Sequence, residues 1–442
     1  MIKNILSNVY SAFELGEDNR RIAQALVALV FFLLIGKFAG AAKEMAVAYR
    51  FGVGGLVDAF VLVLTFVTWI PAVWTSVLNS VFVPLINKVE PDEKKHFNEQ
   101  LMGATLLASG FLTMSFIFLG PIVVDKFATD ASDEARIWLR QFVIGLAPLA
   151  GFGFLVAQLS VLLLAAERHV NTLYTSVAPL VLMLAILLWP DSARTNPNSL
   201  IWGSILGVAL QLLGLYFLLG NKASPMRASF NFDSPVWVRF KSGIGIMVLA
   251  QFVMSFVDPI SSLIAANLGS GNVASLGYTL AILALFLSLG ATAVSRAILP
   301  VLSSSQNENQ RSVTVAMQWS VLMFVAGIIL AIAVWFLAPI IVKIIYERGA
   351  FTTDNTLAVT EGVRFGVFQF PFYFAGIVMA QLFASLGKYR LILGSGVLAL
   401  IVKVVLSYFL ADYFGFSGII LASAFMYFAT SLYFVFHITR ER

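Results

Sequence analysis

The chain has no cysteine among its 442 residues, and its three histidines, His96, His169 and His437, lie far apart in sequence. Disulfides, thiolate metal sites and a cysteine nucleophile are therefore excluded, and neither a His-ligated metal nor a Ser/His/Asp triad is expected. Charge is equally scarce: Asp, Glu, Lys and Arg together make up 12% of residues, against about 25% in a soluble globular domain. With 60% hydrophobic residues, the balance describes a polytopic membrane protein and neither a soluble enzyme nor a disordered chain. No phosphate loop occurs either. Gly52-Val-Gly54-Gly55 lacks the following Gly-Lys-Ser/Thr and reads as a turn, so direct ATP hydrolysis is not expected. No nucleophile or acid/base pair stands out, which argues against an enzyme and against any cofactor. A proton or sodium gradient is the energy source this leaves open.

What the sequence does have is long apolar runs. A spanning helix needs about 20 mostly apolar residues. Twelve runs qualify, near 25–48, 57–87, 101–124, 140–165, 172–190, 199–219, 243–267, 275–302, 313–345, 363–387, 391–412 and 416–437. Before them, Ile2, Ile5, Leu6, Val9 and Phe13 recur at helical spacing, which reads either as an amphipathic segment (1–22) on the membrane surface or as a frayed terminus. No signal peptide is evident. With the N-terminus inside, sixteen Lys and Arg fall on the cytoplasmic side and five on the other, which places both termini in the cytoplasm. The net charge of +5 reflects this asymmetry and cations inside spans, so nucleic acid is not an expected partner.

Matching features recur at about half the chain length. Pro84 and Pro300, near the ends of the second and eighth runs, lie 216 apart, Thr129-Asp130 and Thr353-Asp354 224, Pro148 and Pro371 223, and Arg168 and Arg390 222. Four matches in order predict a parallel repeat of six helices, with an N-lobe (23–219), a polar cytoplasmic linker (220–237) and a C-lobe (238–442). The predicted fold is therefore an all-α membrane protein of about twelve helices, in two pseudo-symmetric lobes around a central cavity. That is the architecture of alternating access.

An ionisable residue inside a span is costly and marks a cavity or a partner. Lys37, Lys43, Glu44, Arg50 and Asp58 crowd the first helical hairpin. Three cations with two carboxylates suit an anionic headgroup such as a phosphate, the carboxylates preventing over-tight retention; the alternative is a self-compensating ion network. Asp258, just before Pro259, and Lys403 lie near mid-span in the seventh and eleventh runs. They form either a coupling site or a static buried pair. Arg296 points into the cavity or snorkels to headgroups, while Arg140 and Arg364 read as interfacial anchors.

Residues 36–60, Gly-Lys-Phe-Ala-Gly-Ala-Ala-Lys-Glu-Met-Ala-Val-Ala-Tyr-Arg-Phe-Gly-Val-Gly-Gly-Leu-Val-Asp-Ala-Phe, resemble the helix 1 to helix 2 signature of the MviN-like lipid II flippases. That family belongs to the multidrug/oligosaccharidyl-lipid/polysaccharide flippase superfamily. Phe82-Val-Pro84 and the stretch 347–354, Glu-Arg-Gly-Ala-Phe-Thr-Thr-Asp, look like family motifs too. The resemblance implies two bundles around a cationic cavity that accepts the pyrophosphate of an undecaprenyl-linked sugar precursor. It places Lys37 and Lys43 at family arginine positions and Asp58 at a family aspartate. It also sets Asp258 and Lys403 near a cation site of some members, where the lysine ammonium stands in for the ion. Two family arginines have no counterpart, with Pro71 and Ala72 in one region and Thr279, Leu280 and Ala281 in the other. The family typically has fourteen helices, so with twelve counted here a two-helix groove for the lipid tail is not expected.

The function expected from these readings is an inner-membrane lipid flippase that carries a polyprenyl-pyrophosphate-linked saccharide outward. The cargo is an exopolysaccharide-type precursor first and a peptidoglycan precursor, lipid II, second. Polysaccharide or cell-wall synthesis enzymes are the natural partners. The rivals are a cation-coupled multidrug exporter of the same superfamily and a non-transporting membrane scaffold.

Overall fold

A computed structural model describes residues 17–86, 89–128, 132–166, 171–190, 196–220, 227–243, 245–304 and 309–440. The amphipathic segment expected before residue 17, Thr129, Asp130, Arg168, the linker stretch 221–226 and the Arg296 side chain lie outside the description. Among the described residues every regular element is helical.

The first half comprises α1 (Glu17–Phe51), α2 (Gly55–Ile86), α3 (Pro91–Phe127), α4 (Asp133–Ala165), α5 (Asn171–Leu188) and α6 (Asn198–Leu219). After the linker come α7 (Ile246–Ser255 continued by Val257–Ala266), α8 (Asn272–Ser304) and α9 (Asn309–Tyr346). The second half ends with α10 (Thr353–Val367 continued by Phe370–Ser385), α11 (389–414) and α12 (416–440). By length and apolarity, seven described stretches can cross a membrane, eight with the bent α10, and one of them, Tyr389–Thr439, contains both α11 and α12.

The breaks have causes legible in the chain. A proline has no N–H for the carbonyl four residues earlier. Pro148 thus breaks α4 at Leu146, Pro259 breaks α7 at Phe256, and Pro371 bends α10 by 44° between Val367 and Phe370. In α2 the residues before Pro84 widen into a π-helical turn, Leu78–Phe82. Gly415, at φ 56° and ψ −142°, turns α11 into α12 in a conformation that suits glycine.

Packing repeats as the sequence spacing implies. In the first half α2 and α3 both pack on α4, and α4 on α6; in the second, α8 and α9 both pack on α10, and α10 on the α11–α12 run. Ring contacts Phe372–Phe428 and Tyr373–Tyr427 place the last of these on α12. The two halves meet where α1 and α2 touch α7, α8 and α9. One continuous apolar core, from Ala46 and Val57 to Tyr278, Phe351 and Ile420, joins them at the end holding loops 52–54, 267–271 and 347–352. Toward the opposite end the buried residues form smaller clusters, with Phe82, Phe97 and Phe240 joined by Val248 of α7 in one and Phe383, Phe434 and Ile438 in another. The lobes therefore share their main core at one end, the closed end; at the other, termed the parted end, α7 is the part of the C-lobe that reaches the N-lobe cluster.

The linker belongs to the N-lobe. Ser229 N–H donates to the Glu99 carbonyl (2.9 Å), and Asp233 accepts from His96 (2.8 Å), Gln100 and Asn231 (2.8 Å). These hydrogen bonds from His96 and Gln100 hold the Asp233 carboxyl below the usual carboxylate range. A depressed folded-state value stabilises above the unfolded one, so this clamp loosens only as pH falls through the acid range. A Cβ on Gly103 would overlap the Ser229 carbonyl. Gly103→Val is accordingly expected to destabilise the chain by about 1–3 kcal/mol, read as a lower unfolding midpoint in detergent.

Candidate functional site

Between the lobes, just inside the closed end, lies a cavity of about 210 Å³ lined by Lys43, Glu44, Phe60, Leu64, Thr65, Thr68 and Tyr278, among others. Its charged floor is a direct Lys43–Glu44 ion pair whose side chains are 18% and 20% exposed. Adjacent residues on a helix point about 100° apart, so both reach the cavity only because α1 presents its edge to α8 here. An ammonium held by one carboxylate in a water-accessible cleft can exchange that partner for a diphosphate. Thr65 and Thr68 spend their hydroxyl protons on the carbonyls of Val61 and Leu64, leaving oxygen lone pairs toward the space.

The other candidates are not gathered there. Lys37 is exposed, two turns from Glu44 toward the parted end of α1. Arg50 lies at the far end of the same helix, where its guanidinium donates to the carbonyls of Ile186 and Trp189 (3.3 Å). Those are carbonyls at the C-terminus of α5 that have no intrahelical donor, so a cation is held there by both hydrogen bonds and helix dipole. Asp58 turns away from the cavity as well. Its two oxygens accept from the N–H groups of Gly271 and Ala274 (2.7 Å), capping α8 in the opposite lobe.

The cap belongs to a set of contacts that closes this end. Tyr278 donates to the Gly52 carbonyl (2.9 Å), and Ala350 N–H donates to the Tyr49 carbonyl (2.8 Å). Gly52 and Gly349, at φ 66° and 62°, let the two backbones touch: a Cβ on either would strike the other lobe. Phe351 packs edge-on to the Tyr278 ring, and Tyr346 donates to the Tyr278 carbonyl (3.2 Å). The 347–354 motif thus sits at a lobe-to-lobe seam. Tyr278 and Tyr346 carry no charge or motif that would single them out in the sequence. Deeper, Trp69 donates to Ser255 (2.9 Å) and stacks on Phe252, in the half of α2 that also holds Pro71.

Lys403 is 4% exposed in α11, and its ammonium donates to the Ile419 carbonyl and the Ser423 hydroxyl (2.7 Å) of α12. Asp258 lies on the second half of α7, which packs on the α11–α12 run, but it forms no direct ion pair with Lys403. The direct pairing expected from sequence is therefore not the arrangement present, because α12 offers the ammonium two closer acceptors. Arg140 pairs with Asp125 (3.5 Å), and Arg364 lies over the Trp335 ring. Among the described residues no group of acidic or histidine side chains could hold a metal ion.

Two repeated six-helix lobes, sharing a core at one end beside a cavity that holds an ion pair, define a polytopic helical transporter. The family model described as "Lipid II flippase MurJ" matches residues 47–442, and the chain belongs to that family. A probable lipid II flippase from Buchnera aphidicola subsp. Baizongia pistaciae (strain Bp) is 21% identical over 412 residues, 91% of this chain and 80% of that protein. One from Rhizobium tropici is 25% identical over 342 residues, 72% of this chain and 62% of its own length. A solved lipid II flippase in an inward closed conformation superposes with TM-score 0.79 at 18% identity, covering 93% of this chain and 87% of that one. An inward-facing multidrug resistance transporter of the MATE family superposes with TM-score 0.72 at 12% identity, covering 94% and 98%.

Proposed function

We propose that the chain carries a polyprenyl-diphosphate-linked saccharide outward across the bacterial inner membrane by alternating access, with both termini in the cytoplasm. The observation that carries this reading is the Lys43–Glu44 pair in a cavity between lobes that share their main core at one end. The sixteen-to-five count of basic residues makes the parted end cytoplasmic. The headgroup enters there, Lys37 attracts it, and Lys43 releases Glu44 to bind a phosphate oxygen. Breaking the Asp58 cap and the Gly349–Tyr49 seam then opens the outer end, and Glu44 recaptures Lys43 as the cargo leaves. Arg50 acts by fixing α1 to α5, which keeps the pair in place. Membership of the lipid II flippase family favours the peptidoglycan precursor over an exported-polysaccharide precursor, which shares the same diphosphate and polyprenyl chemistry.

Expression in a bacterium depleted of its own lipid II flippase separates these cargoes. Restored growth supports lipid II, and failure to restore growth by a chain that still moves other diphosphate lipids in vesicles assigns it to a different sugar.

For the energy source, Asp258 and Lys403 are the proposed coupling elements of the C-lobe. Protonating Asp258, or binding a cation there, neutralises its charge and alters how α7 packs on the α11–α12 run. Asp258→Asn is expected to leave a basal transport rate that no longer responds to a proton or sodium gradient. Gradient dependence that persists in this variant removes Asp258 from the role.

A further inference from the structure

The linker leaves an apolar surface that no part of the described chain covers. Val236 and Phe240 point into the N-lobe core, while Val238, on the opposite side of the short helix Val236–Gly243, is 73% exposed. Phe230 and Phe232, in the extended stretch before it, are 58% and 47% exposed. Arg227, Arg239 and Lys241, all exposed, accompany these side chains. The one acid of this stretch, Asp233, is engaged by His96, Gln100 and Asn231. The surface is therefore apolar and cationic together.

Its depth follows from α3. That helix runs 37 residues, about 55 Å, against a hydrocarbon core of about 30 Å. Asp125, paired with Arg140, marks one boundary, and about 20 residues back along the helix is Thr105, which marks the other. The linker is bound to α3 at Glu99, Gln100 and Gly103, just past that second boundary and at the level of the headgroups. Exposed Phe and Val beside Lys and Arg at this level match the chemistry of an anionic leaflet, acyl chains for the rings and phosphates for the cations.

We infer that residues 227–241 form a docking surface for acidic phospholipids of the leaflet on the side of the parted end. The linker anchors the N-lobe there. The chain reaches α7 only after Gly243 and Gly245, so the C-lobe turns about a point next to the anchored segment.

The absence of native cysteine makes the test direct, since Val238→Cys supplies a unique site for a spin label. The full chain is placed in nanodiscs of phosphatidylcholine alone or mixed with phosphatidylglycerol, and label contact with oxygen and with a water-soluble nickel chelate is measured. The expected result is shielding from nickel and exposure to oxygen in the anionic discs, with a return toward water in neutral discs. Arg227→Gln with Lys241→Gln is expected to shift the docked equilibrium roughly 30-fold, at about 1 kcal/mol per basic residue. A label that stays in water in both lipids overturns the proposal. So does a label equally shielded in both lipids and unmoved by the double substitution, which points to a protein contact such as a second copy. A second label at Phe230→Cys must report the same change, which separates docking from local unfolding at Val238.

Discussion

Lys43→Ala is expected to lower transport of a diphosphate lipid by roughly 10- to 100-fold, at unchanged abundance in the membrane. A hydrogen bond to a charged partner contributes about 1.5–3 kcal/mol, and each 1.4 kcal/mol is about a factor of ten. The substitution has a second consequence specific to this cavity. It leaves the Glu44 carboxylate without its cation, facing the very space an anionic headgroup must enter. Glu44→Gln in the Lys43→Ala background should therefore recover part of the loss, and a double-mutant cycle on transport rate isolates that coupling. Lys43→Arg keeps the charge and should retain most of the rate. Normal transport by Lys43→Ala would remove the cavity from the pathway.

Asp58→Asn is expected to shift the lobe equilibrium toward the form open at the outer end. The carboxylate takes two N–H donors at the start of α8, Gly271 and Ala274. An amide offers only one oxygen and turns its own NH₂ toward the second donor. Losing one charge-assisted bond and the favourable interaction with the helix N-terminus costs about 1–3 kcal/mol, or roughly 5- to 150-fold in the ratio of the two forms. Spin labels at Glu134→Cys and Thr353→Cys, both exposed at the outer ends of α4 and α10, read the opening as a longer distance population. If that distribution matches the unsubstituted chain in a folded variant, the cap does not hold the lobes shut. Because the same residue takes no part in lining the cavity, the affinity of the inward form for cargo should change little.

The architecture was legible because it depends on features written locally. Apolar runs long enough to cross a bilayer, prolines at matching offsets and glycine turns mark the helices and their breaks, and Pro148 and Pro371 do break α4 and α10 at equivalent places. The site was legible only in part. Charges inside spans drew attention to α1, but spacing along one helix says nothing about which neighbour each side chain meets. Arg50 and Asp58 answer to backbone groups, the C-terminus of α5 and the N-terminus of α8, that become their neighbours only through folding. Likewise Lys403 and Asp258 share a region without bonding, since Ile419 and Ser423 on α12 reach the ammonium first. Tyr278 was invisible for the opposite reason. A tyrosine in an apolar helix looks like ordinary packing until its hydroxyl is found on Gly52 of the other lobe.

The central claim is that a cleft between two lobes passes a lipid-linked diphosphate across the bilayer through Lys43. Its most direct test is a flipping measurement in vesicles that contain only the purified full-length chain and a fluorescent polyprenyl-diphosphate saccharide, with a membrane-impermeant quencher reporting which leaflet holds the lipid. Movement above that of empty vesicles, lost in Lys43→Ala and absent for an uncharged polyprenyl lipid of the same length, is the expected result. Movement no faster than in empty vesicles, or movement indifferent to both the diphosphate and Lys43, would contradict it.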